Sequence, residues 1–151
     1  APAVARAPQA APARVPGTPG AAPSAKPARA EPRGAKALIA QARRLRDRGR
    51  TEQALDVYGK AVDLEPENAE ALAGRGWCYL DLSQYGPAEA SFESSLEADP
   101  KGADALLGLA ETYRYAGRRA DAVKYYQRYL AAHPQGEDAV AAQNAIQSLK
   151  E

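Results

Sequence analysis

The chain has 151 residues, 26% of them charged and 45% apolar, with a formal net charge of +1; this balance fits a globular domain with a tail. No run approaches the ~18 apolar residues of a membrane-crossing helix. One cysteine and one histidine exclude an internal disulfide and a structural zinc site, and a near-zero net charge excludes recognition of polyanions by bulk charge.

Residues 1–34 hold twelve Ala, eight Pro and five Lys/Arg against one acid. Proline at this density removes amide donors and blocks helices, so Ala cannot express its helix propensity. The segment is expected to be a disordered basic linker with extended stretches. Arg6, Arg14, Lys26, Arg29 and Arg33 read as solubilising charges, or alternatively as contacts to an acidic surface. The chain contains no Met, which reads as a processed product or a piece of a longer reading frame. A cytoplasmic location is expected, with a periplasmic or secreted one after signal removal as the alternative.

From Pro32 onward the chain is periodic. Pro32, Pro66, Pro100 and Pro134 stand 34 residues apart, and the heptapeptide Pro66-Glu-Asn-Ala-Glu-Ala-Leu72 recurs as Pro100-Lys-Gly-Ala-Asp-Ala-Leu106 and, more loosely, at Pro32 and Pro134. A fixed period of that size signals stacked units. Each copy ends one helix at Pro, turns through Gly or Asn and opens the next on an apolar face. Within a unit the apolar positions fall three and four apart, as in Leu38, Ala42 and Leu45, then Ala54, Tyr58 and Ala61, which is the stripe of an amphipathic helix.

This spacing predicts helices over 35–48, 51–64, 69–82, 85–98, 103–116, 119–132 and 137–150. Gly49 and Gly117 suit the left-handed residue after a helix, and Thr51 is expected to cap the helix that follows. Gly86-Pro87 falls in a first turn, where proline's missing amide costs nothing. The last helix is expected to cover the end of the stack with Val140, Ala141, Ala145, Ile146 and Leu149. The expected division is 1–34 linker, 35–68, 69–102 and 103–136 repeat units, and 137–151 cap.

These residues resemble the tetratricopeptide repeat (TPR) family. The family's small and bulky positions are held by Leu38, Ala42, Leu45, Ala54, Tyr58 and Pro66 in the first unit. The second holds Leu72, Gly76, Tyr79, Ala88, Phe92 and Pro100, and the third Leu106, Leu109, Ala110, Tyr113, Ala122, Tyr126 and Pro134. Gln41 and Arg75 depart from a usual Leu and Tyr129 from a usual small residue; Gln41 fits an outer edge and Tyr129 fits a place under the cap. The resemblance implies an all-α TPR superhelix of seven helices behind the disordered tail.

It also implies a concave groove that holds an extended or helical peptide of another protein. Carried onto this sequence, the groove-facing residues are Ile39, Arg43, Arg46, Ala73, Trp77, Leu80, Asp81, Leu107, Glu111, Arg114 and Tyr115. Trp77 is the expected anchor, since a large aromatic there supplies interface energy; the competing reading has it packing over the neighbouring helix. Five arginines between Arg43 and Arg50 read as a solvated outer face, or as contacts to an acidic peptide or phosphate. The subtype that clamps acidic chaperone C-termini is not supported. Its charged and amide positions here hold Ile39, Arg43, Gly74, Asp104 and Gly108, and only Arg43 keeps the positive charge.

The expected function is a protein-interaction adaptor tethered through its linker, with a self-associating or docking assembly element as the alternative. No enzyme activity, cofactor, metal, small-molecule substrate or membrane insertion is expected: Cys78 and His133 lack partners that would make either a nucleophile or base. Nucleic-acid binding is disfavoured because the basic stretches lack interleaved aromatics. The chain is expected to be a monomer in isolation.

Overall fold

A computed structural model describes residues 34–151. The expected linker, apart from Gly34, lies outside the described residues. Among these, the helices are α1 (Ala35–Asp47), α2 (Thr51–Leu64), α3 (Ala69–Asp81), α4 (Tyr85–Ala98), α5 (Ala103–Tyr115), α6 (Arg119–Ala132) and α7 (Ala139–Lys150). They form an all-α solenoid of three hairpins closed by a single helix. Each hairpin packs on the next, and α1 also touches α3 and α3 touches α5, so the first helices form one continuous row.

The turn inside each hairpin is the same local structure built three times. In the first, the Gly49 amide donates to the Arg46 carbonyl and the Arg50 amide to Leu45, and the same pair of bonds closes α3 at Ser83 and Gln84 and α5 at Gly117 and Arg118. This pairing satisfies helix-end carbonyls and needs one residue in the left-handed region. Gly49 and Gly117 take it at φ 73 and 77°, whereas the second hairpin puts Ser83 there at φ 58°.

Thr51 does not cap: it is the first residue of α2, and the preceding Arg50 offers no side-chain cap bond. The side-chain cap lies between hairpins instead, where Asn68 Oδ1 accepts from the Ala71 amide at 2.9 Å. Pro87 falls in the first turn of α4.

Aromatic rings set the spacing between hairpins. A Cβ placed on Gly74 would lie 2.2 Å from the Tyr58 ring, and one on Gly108 would lie 2.2 Å from Phe92. Ala42, Ala110, Tyr58, Phe92 and Tyr126 are all buried, and the small residues allow backbones to approach until the rings fill the gaps. Arg75, placed where an apolar residue is usual, donates from Nε to the Ser91 hydroxyl, which is itself 2% exposed.

The cap differs from expectation in its register. Helix α7 begins at Ala139, after the turns at 134–135 and 137–138; Ala139, Ala142 and Ile146 are buried, and Ala145 and Leu149 pack against the core as expected. Val140 is 68% exposed and Ala141 is exposed as well. Tyr129 sits under the cap in the same core cluster as Ala142 and Ile146, and its hydroxyl accepts the Asp138 amide at 3.3 Å.

Candidate functional site

The row of first helices presents two adjoining cavities. The larger, ≈ 570 Å³, includes Trp77, Leu80, Asp81, Leu107, Glu111 and Tyr115 in its walls, together with Tyr85 from α4, Tyr126 from α6 and Ala141 from α7. The smaller, ≈ 390 Å³, is lined by Arg43, Arg46, Asp47, Tyr58, Glu70, Gly74, Trp77 and Asp104. Trp77 and Asp104 belong to both, so the two form one groove running from α1 to α7.

Most of the residues expected to face a groove meet there, at helix spacings that repeat on one face. Arg43, Arg46, Trp77, Leu80, Asp81, Leu107, Glu111 and Tyr115 line its walls. Ile39 and Ala73 do not: each is 3% exposed and belongs to the core. Arg114 borders the groove indirectly, with its guanidinium over the Tyr115 ring at 4.6 Å and paired to Glu111. Sequence reasoning missed the tyrosines contributed by the second helices and the acids Glu70, Asp104 and Asp138. The acids carried a signal, since they recur 34 residues apart at one repeat position.

Trp77 packs on one side and is open on the other. Its ring meets Phe92 edge-on at 5.4 Å, a favourable arrangement of ring quadrupoles. The remaining surface is open to both cavities. Arg46 lies over the indole with its guanidinium carbon 5.5 Å from the centroid and reaches Asp81 with two bonds, Nε to Oδ2 at 2.6 Å and Nη2 to Oδ1 at 3.2 Å. The bond to Asp81 raises the Arg46 pKa against the opposing effect of burial.

Other polar groups of the groove are also tied down. Arg43 pairs with Glu70 at 2.8 Å. Tyr126 donates its hydroxyl to Glu111; burial raises the phenol pKa, and the bond to the carboxylate raises it further. Fixing the side chains in the free protein lowers the ordering cost of binding. The groove therefore offers an apolar floor with positioned polar walls.

Elsewhere the chemistry is quiet. Cys78 is fully buried, and burial pushes its thiol up to about 11, so it holds little thiolate near neutrality. Among the described residues, no group of three His, Cys, Asp or Glu side chains could hold a metal ion, and no helix is long and apolar enough to cross a membrane.

A family profile described as Tetratricopeptide repeat matches residues 39–103 and 79–137. No curated protein matches the chain. Solved structures with the same fold include the second TPR domain of human RPAP3 in complex with the HSP70 peptide SGPTIEEVD. It aligns with TM-score 0.70 and 19% identity over 78% of this chain and 95% of that one. The TPR2B domain of yeast Sti1 in complex with an Hsp70 peptide aligns with TM-score 0.73 and 16% identity, covering 77% and 95%. The Yersinia enterocolitica type III secretion chaperone SycD in complex with a peptide of the translocator YopD aligns with TM-score 0.71 and 18% identity, covering 76% and 91%.

Proposed function

The chain belongs to the tetratricopeptide repeat family, and from that premise we propose that it is a protein-interaction adaptor whose groove between α1 and α7 holds an extended or helical segment of a partner protein. One observation carries this reading: a large aromatic, Trp77, sits at the junction of two cavities with only part of its ring used in packing. Buried aromatic anchors surrounded by positioned polar groups are what concentrate binding energy in an interface. The peptides held by structures of the same fold support the general mode.

They do not support transfer of the ligand. The peptide SGPTIEEVD in the RPAP3 complex carries three acidic side chains, and the walls of this groove hold Asp104 and Asp138. Like charges placed together in a binding site are repulsive.

The test is photo-crosslinking from the full chain in an extract of the cell that makes it. A photoreactive residue replaces Trp77 in one variant and Glu97, exposed on α4 and outside both cavities, in another. Discrete adducts from position 77 that are absent from position 97 are expected. Adducts from position 97 alone would move the interaction to the outer face.

A further inference from the structure

The charge of the groove departs from that of the surrounding domain. Residues 35–151 hold 15 Lys/Arg and 18 Asp/Glu, which is close to balance. The two cavities hold six acids, Asp47, Glu70, Asp81, Asp104, Glu111 and Asp138, against two arginines, and none of the lysines lines either. Both arginines are already engaged, Arg43 with Glu70 and Arg46 with Asp81. Glu111 is likewise paired, with Arg114. Among the described residues, Asp47, Asp104 and Asp138 have no ion-pair partner, and the last two lie along the larger cavity.

These two acids are related by the repeat. Glu70, Asp104 and Asp138 occupy one position in successive units, 34 residues apart, where the first unit has Lys36. The stack therefore sets negative charge at regular intervals along the groove, beside the apolar surfaces of Trp77, Leu107 and Tyr115. No three of the carboxylates converge as metal ligands would, so their spread suits a chain of cations rather than a single ion. A nucleic acid would bring its phosphates against this wall and is repelled.

Resting on the groove reading above, we infer that the partner segment is cationic: a peptide with Lys or Arg placed to meet Asp104 and Asp138 and an apolar residue placed over Trp77 and Leu107. Charge complementarity of this kind steers encounter and selects partners, and opposite-charge segments are rejected. The two arginines that line the groove, Arg43 and Arg46, are already paired with Glu70 and Asp81.

The probe is a displayed library of random peptides of about 12 residues, a length suited to groove recognition, selected on the full chain. The net charge of the enriched sequences is read, and the best binder is measured by fluorescence polarisation against the native chain, the Asp104→Asn/Asp138→Asn double variant and Trp77→Ala. The double substitution is nearly isosteric at two exposed sites; because Asp104 lies in the first turn of α5 and Asp138 at the N-cap of α7, a small fall in melting temperature is expected, and binding is measured well below it. Enriched peptides should be basic, bind the double variant roughly tenfold more weakly, and weaken further as salt screens the pair. Neutral or acidic peptides that still lose affinity in Trp77→Ala would overturn the charge inference and leave the groove reading standing. Failure of any peptide to enrich, or enriched peptides indifferent to Trp77→Ala, would overturn both.

Discussion

Phe92 and Gly108 are fitted so closely that no side chain can be added between them. A Cβ on Gly108 would lie 2.2 Å from the ring, and one on Gly76 would lie 2.8 Å from the same ring. The ring belongs to α4 and the two glycines to α3 and α5, so one aromatic holds together its own hairpin and the one that follows. It is also the surface against which Trp77 rests. The position of the groove anchor thus depends on the packing of the core behind it.

Gly108→Ala is expected to destabilise the chain by ~1–3 kcal/mol, because the ring it would strike is fully buried and cannot swing aside. Phe92→Ala should cost ~3–5 kcal/mol by opening a cavity. Urea unfolding monitored by circular dichroism measures both, and a Gly108→Ala chain as stable as the native one would show that the hairpins slide apart freely.

Ser83→Gly should have the opposite sign. Ser83 holds the left-handed position at φ 58° that glycine holds in the other two hairpins, and relieving a side chain there gains on the order of 1 kcal/mol, partly offset by the greater freedom of glycine in the unfolded chain. A rise in the unfolding midpoint is expected. Gly117→Ala, at φ 77°, should lower it.

The pair of Arg46 and Asp81 is partly exposed, so it contributes little to folding. Asp81→Asn should cost less than ~1 kcal/mol. It frees Arg46 from its place over the indole and should therefore shift Trp77 fluorescence. An unchanged emission spectrum would show that the bridge does not position the ring.

Cys78 gives a pH dependence with a definite sign. Its thiol titrates near 9.0 when unfolded and about 11 when buried, so between those values the folded chain binds more protons than the unfolded one. Stability from this group is full below pH 9 and falls as pH rises through 11. Unfolding midpoints measured from pH 8 to 11 should decline less steeply in Cys78→Ala than in the native chain. Alkylation of Cys78 at pH 8 should proceed at the rate of opening rather than at that of an exposed thiol.

Much of the fold was legible because its signal is repeated. The 34-residue return of Pro66, Pro100 and Pro134 and the three-four spacing of apolar residues located every helix, and six of the seven match the expected bounds to within one residue at both ends. The seventh begins at Ala139 because Glu137 and Asp138 form a further turn closed by the Ala139 amide on the Gly136 carbonyl. Of its expected inward residues, Val140 faces outward. The groove was less legible because helical periodicity identifies a stripe without saying where one neighbour ends and solvent begins. Ile39 and Ala73 share the stripe of Arg43 and Trp77 yet are covered by core packing. Tyr85 and Tyr126 reach the groove from second helices, a placement that depends on how hairpins cross; Tyr126 repeats the position of Tyr58, which also lines it, but Tyr85 has no counterpart in the period.

The central claim is that the partner lies in the groove around Trp77. Its most direct measurement is amide and indole chemical-shift mapping of the full chain as the selected peptide is added. The expected result is perturbation of the Trp77 indole and of groove-facing residues on α1, α3 and α5, with the outer faces of α2 and α4 undisturbed. Shifts confined to the outer faces of α2, α4 and α6, with the Trp77 indole unmoved, would contradict it.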